Sequence, residues 1–276
     1  MNLFNLFSDI EKNDADADGR FNFTRRKMLK TTSMAVAGTT AFTALAMNKA
    51  FAADSSVTEV LNFALTLEYL EAEFYAKALA SNLKDDSNFM SYYGLFEEIG
   101  KHEREHVDFL KTALGSAAVS KPEFDFTAKG MFPNPFAKEN YPVYLTLSQA
   151  FEDTGVRAYK GQAANLMSNP DVLQAALQIH SVEARHAGTI RLLRGVTPFA
   201  NEGNNDSSNG GAPAAVYKGE NNIYQVDGVD LISLTKPKLL EQGGNPEMMA
   251  EKYVRESFDE PLTKADVLAI VAPFLK

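Results

Sequence analysis

Two short motifs constrain this chain more than any other feature: Glu103-Arg-Glu-His106 and Glu183-Ala-Arg-His186. At about 100° per residue on a helix, positions three apart lie about 60° apart, so each Glu and its His share one face. Each motif begins twelve residues before a glycine of the kind that ends helices, Gly115 and Gly195. Two other segments match one another in the same way. Glu68 is followed seven residues on by Tyr75, and Glu152 seven residues on by Tyr159. Seven residues are close to two helical turns, so each Glu and Tyr also share a face. The chain therefore reads as two copies of one unit, Glu…Tyr followed by Glu-x-x-His.

The surrounding sequence predicts four long helices. Ser56-Val57-Thr58-Glu59 has the form of a capping box ahead of LNFALTLEYLEAEFYAKAL. A second helix is expected over about Asn88–Leu114, a third over about Val143–Met167 with Pro142 at its start, and a fourth from Asn169-Pro170 to Gly195. The first and last connections are short. The middle one, from Gly115 to about Tyr141, is long and holds Pro122, Pro133, Pro135 and several Phe. Short links make antiparallel neighbours and a long one can run the length of a bundle, so short–long–short predicts an all-α, ferritin-like four-helix bundle with one crossover.

Glu68 sits beside Leu61, Ala64, Leu65 and Ala72 on a side that should face the core. A carboxylate there is costly unless it is paired or ligates a cation. The six residues Glu68, Glu103, His106, Glu152, Glu183 and His186 supply four carboxylates to neutralise two divalent ions and two imidazoles to complete their coordination. One Glu from each of two helices plus Glu-x-x-His from each of the other two is the ligand set of di-iron and di-manganese carboxylate bundles. The chain has no Cys. That excludes disulfides, thiolate zinc sites, iron–sulfur ligation and a Cys nucleophile. Oxygen and imidazole donors suit iron, manganese or zinc; two iron ions are the leading reading, with manganese open. Tyr75 and Tyr159 are expected beside the ligands, either bonded to their carboxylates or in a redox role. Glu71, one turn after Glu68, reads as a solvated neighbour rather than an alternate carboxylate. His102 is turned about 100° from Glu103 and reads as exposed, while His180 fits either packing or support of a ligand.

These residues resemble the ligand set of the ferritin-like superfamily, which includes bacterioferritins and rubrerythrins. More narrowly, LNFALTLEYLEAEFY, KHEREHVDFL, IHSVEARHAGTIRLLRG and SFDEPLTKADVL resemble an exported bacterial ferritin-like family related to the desiccation-related proteins of resurrection plants. The resemblance spans about residues 55–276 and implies the bundle and its metal site. It departs from better-known relatives in two respects. The rubredoxin-type Cys-x-x-Cys module of rubrerythrins is absent, and the long crossover and added C-terminal region argue against a ferritin cage, while a smaller homo-oligomer stays open.

Residues 1–52 read as an acidic leader and an export signal. Arg25-Arg26, followed by Met28-Leu29-Lys30, has the look of a twin-arginine signal. A mildly apolar stretch from Met34 to Met47 and the small-x-small Ala50-Phe51-Ala52 complete its three parts, which predicts export, to the periplasm. The bundle is then expected over 53–200. Residues 201–276 follow as a flexible linker, NEGNNDSSNGGAP, a hairpin around Val216–Val226 and two short helices near Pro246–Glu256 and Lys264–Phe274. The net charge of −9, with no basic stripe after residue 52, excludes a nucleic-acid partner, and no apolar run after the signal is long enough to span a bilayer. The expected partners are metal ions and dioxygen or peroxide, in iron oxidation or peroxide stress chemistry. Two alternatives remain open: a stress-related structural or binding protein whose metals only brace the bundle, and a di-manganese catalase-like enzyme.

Overall fold

The computed structural model describes residues 55–200, 214–225, 229–233 and 245–276. The paired arginines at 25–26, the cleavage pattern at 50–52 and the linker at 201–213 lie outside the described residues. Among the described residues seven α-helices have both ends placed, in chain order α1 Ser55–Ala80, α2 Ser87–Ser91, α3 Tyr93–Leu114, α4 Tyr141–Ala163, α5 Pro170–Leu193, α6 Pro246–Ser257 and α7 Lys264–Val271. Four of them, α1, α3, α4 and α5, form the bundle, with α1 packed chiefly on α3 and α4 chiefly on α5. No helix among the described residues is long and apolar enough to cross a membrane.

The ends of the helices follow local chemistry. Gly115 and Gly195 take positive φ, 57° and 74°, just past α3 and α5, a backbone conformation that a Cβ disfavours. Asn169 caps α5 through Val172 N–H. Two expectations shift. Ser56 is already inside α1, so the capping box does not mark that helix's start. The second helix is interrupted at Tyr92, with Asp86 capping the short α2 through the amides of Asn88 and Phe89.

The aromatic residues of the crossover are spent on the core. Phe126 and Phe136 both pack on Phe74 of α1 with ring centroids 5.4 Å apart, and Phe74 stacks on Tyr144 of α4 at 5.1 Å. Contacts of this kind add about 0.5–1.5 kcal/mol each beyond the area they bury. The C-terminus is stitched to the same crossover. Phe124 bridges Leu275, Asp125 N–H donates to the Phe274 carbonyl at 2.8 Å, and Phe274 packs on Phe151 at 4.9 Å.

Described residues near 216 and over 262–271 lie against α1 and α4. Val216, Leu262, Val267 and Ile270 form a second apolar cluster with Phe63, Leu67, Ala150 and Ala158. Approach is closest at Gly161, where a Cβ would collide with the Leu262 carbonyl oxygen. The expected hairpin is displaced. Val216 and Tyr217 belong to a 3-10 turn over Ala214–Tyr217, and the antiparallel pair is Tyr224–Gln225 with Val229–Asp230. The two C-terminal helices stand close to where the sequence puts them.

Candidate metal centre

Each bundle helix delivers its part of the repeat to one place. Glu68 comes from α1, Glu103 and His106 from α3, Glu152 from α4, and Glu183 and His186 from α5. The four Glu are fully buried and the two His nearly so. Their donor atoms fall into two groups that could each hold an ion: Glu68, Glu103, His106 and Glu183, and then Glu103, Glu152, Glu183 and His186. Glu103 and Glu183 belong to both groups, so they are placed to bridge. Glu68 with His106, and Glu152 with His186, serve one group each.

The distances fit a shared ion. Metal–donor bonds of about 2.0–2.2 Å put neighbouring donors of one ion roughly 2.8–3.6 Å apart. His106 Nδ1 lies 3.1 Å from Glu68 Oε2, 3.2 Å from Glu103 Oε2 and 3.1 Å from Glu183 Oε1. His186 Nδ1 lies 2.8 Å from Glu103 Oε1 and 3.3 Å from Glu152 Oε2. One proton on His106 Nδ1 cannot serve three acceptors. At His186 the close atoms are not aligned as hydrogen bonds at all: His186 Nδ1, Glu103 Oε1, Glu152 Oε2 and both oxygens of Glu183 are buried without a hydrogen-bond partner. Atoms that crowd one another without bonding are aimed at a common point, as the ligands of one ion are. Buried polar atoms are otherwise almost always paired.

The tyrosines cross between the halves. Tyr75 of α1 donates to Glu152 Oε1 on α4, and Tyr159 of α4 donates to Glu68 Oε1 on α1 at 2.5 Å. Each hydroxyl occupies one oxygen of its Glu and leaves the other for the centre. Burial pushes both phenols well above their ordinary range, so they remain donors.

Electrostatics without an ion is unfavourable. Burial raises the carboxyl of Glu103 to about 7. It raises Glu183 well above the usual carboxylate range, with the charges of Glu103 and Glu68 adding to it. Burial alone would push the imidazoles down, but the carboxylates outweigh it. Glu152 and Glu103 hold His186 up at about 11, and Glu68, Glu103 and Glu183 hold His106 up as well. In the absence of metal the cluster holds protons, which divalent cations would displace.

Two sequence expectations are corrected. Glu71 is not a solvated neighbour. It is 2 % exposed, and burial raises its carboxyl, followed by the charge of Glu183. The reason is Gly155, the position of α4 that matches Glu71 in the repeat, where a Cβ would lie 3.0 Å from Glu183 Oε2 and 3.3 Å from Glu71 Oε1. The missing side chain on one half makes room for the acid on the other. His102 is not simply exposed. It is half-buried, with Nδ1 2.9 Å from His186 Nε2 and the two rings nearly coplanar, edge to edge. His180 bonds through Nδ1 to the Val156 carbonyl at 2.9 Å.

Among known protein families, a model described as a ferritin-like domain matches residues 56–196, about half of the chain and the whole of the four-helix unit. No curated protein gives a match.

Proposed function

The chain belongs to the ferritin-like domain family, and we propose that it holds two redox-active divalent ions, iron first, and uses them to oxidise ferrous iron or to consume peroxide or dioxygen. The observation that supports this is the excess of buried acid: five carboxylates meet two imidazoles, and the atoms left without hydrogen bonds are those that point inward. A bound redox metal supplies electron transfer and Lewis acidity that these side chains lack. The residues supply the rest. Glu103 and Glu183 span the two positions, Tyr75 and Tyr159 fix the orientation of Glu152 and Glu68, and the surrounding apolar helices exclude bulk water. His106, the most exposed of the six at 9 %, marks the side from which a small oxidant reaches the centre.

Stopped-flow absorbance of anaerobically iron-loaded protein mixed with dioxygen or peroxide tests the reading. Oxidation faster than that of free ferrous ion under matched conditions is expected, and His106→Ala should slow it while the bundle stays folded. Two bound ions with no acceleration would favour metals that only brace the bundle. Export through residues 1–52 is a separate proposal, supported by the order of its three sequence parts. Mature protein should begin near Ala53, and Arg25→Lys with Arg26→Lys should leave it inside the cell. Intact mass of the exported fraction checks both.

A further inference from the structure

We propose that His102 makes the two metal positions unequal, so that the position served by His186 is tighter and fills first, while the position served by His106 is the exchangeable one. The inference rests on the two-metal reading above. His186 turns Nδ1 toward Glu103 and Glu152. Its other nitrogen lies 2.9 Å from His102 Nδ1, and the two rings meet edge to edge, with centroids 5.2 Å apart and planes 9° from parallel. His102 Nε2 lies 3.2 Å from Glu98 Oε1. A histidine that offers the lone pair of Nδ1 to a metal carries its proton on Nε2. His186 then donates to His102 Nδ1, while His102 Nε2 faces the exposed Glu98 carboxylate without an aligned hydrogen bond. His102 Nδ1 thus holds the ring angle of His186 before an ion arrives, and keeps the proton on Nε2 when an ion takes Nδ1.

His106 has no such brace. Its Nδ1 faces three carboxylates, but its Nε2 meets no hydrogen-bond partner among the described residues. Its side chain is also the more exposed, 11 % against 6 % for His186. The internal repeat gives the reason. His102 stands immediately before Glu103, and the matching position before Glu183 is Val182, which has no polar atom to offer. One half of the repeat thus braces the histidine of the other, and the favour is not returned. Outer partners of ligating histidines change metal affinity by about 10–100-fold, which is the split expected between the two positions.

The test is an anaerobic titration of Co²⁺ alone into the demetallated full chain, followed by visible absorption and calorimetry. The wild-type protein should take up two Co²⁺ in two steps with dissociation constants about 10–100-fold apart. His102→Ala should weaken the first step by that factor and merge it with the second. His102→Asn, whose amide oxygen can accept from His186 Nε2, should restore the split, which separates positioning from a general loss of folding. Uptake by the wild type in a single step, or two steps that His102→Ala leaves unchanged, would overturn the proposal and leave the metal centre standing. No uptake of Co²⁺ would overturn the two-metal reading and this inference with it.

Discussion

Glu152 and Asp153 are neighbours on α4, both acidic and both buried, and the protein treats them in opposite ways. Asp153 is met in full. Arg191 grips both its oxygens at 3.0 and 2.7 Å, and Tyr217 donates to it at 2.8 Å. One turn on, Arg157 pairs with Glu220 at 3.0 Å and donates to the carbonyls of Glu260, Val216 and Lys218. This anchor ties the C-terminal region to the bundle with charges of both signs, and Glu220 Oε2 is the one oxygen of these pairs left unmet. Glu152 receives Tyr75 on one oxygen and nothing aligned on the other. Burial is common to both clusters, so burial does not mark a metal site. An excess of one sign, with inward atoms lacking partners, does.

Removing Asp153 should have the largest effect. Asp153→Ala strands the Arg191 guanidinium in the interior, at a cost of about 3–5 kcal/mol. Urea unfolding should give the same loss with and without chelator. A loss confined to the metal-loaded form would make the anchor part of the metal centre and break the comparison.

Glu183→Ala should come next, and its effect should depend on metal. With free metal 100-fold above the dissociation constant, the wild type gains about 2.7 kcal/mol from binding, and the variant should forfeit most of that. In chelator the same change removes a repelling carboxylate beside Glu71, Glu103 and Glu68, so it should be neutral or stabilising. Equal losses in both arms would place Glu183 among ordinary structural residues.

Gly161→Ala should push the Leu262 backbone off α4 at a cost of about 1–3 kcal/mol. Limited proteolysis should then cut within the C-terminal region sooner, with metal content unchanged. A fall in metal content would show that the anchor and the centre act as one unit.

Spread over pH rather than appearing as a single step is a slope in the stability of the metal-free protein. The Glu103 carboxyl has its ordinary value near 4.5 when unfolded and about 7 when folded. Its contribution to stability is therefore complete below about pH 4.5 and is lost as pH rises through about 7. His186, held up at about 11, stays charged through this window and does not offset the loss. Thermal melts in chelator should fall across the window, whereas melts with metal should not, since ions displace the protons.

Most of the centre was legible because it is written in local periodicity. A spacing of three or seven on a helix fixes which residues share a face, and Gly115, Gly195 and Asn169 end or cap their helices by conformational preferences of their own. What escaped depends on the opposing helix. Glu71 stands only about 60° from Glu68, so it could face inward, but the space that admits it is created at Gly155, 84 positions away. Comparing the two halves of the repeat would have exposed that pairing. His102 is turned from its own helix's ligand face, yet α5 brings His186 to it. The anchor joins Asp153 to Arg191 and Arg157 to Glu220, pairs with no sequence period to reveal them.

The most direct test of the account is the metal content of the protein purified from its native host without chelators. Elemental analysis against protein concentration should find two transition-metal ions per chain, falling below one in Glu103→Ala, which removes a carboxylate placed to bridge both positions. A wild-type protein that carries no transition metal, and takes up none when it is supplied, would contradict the claim that these buried acids are ligands.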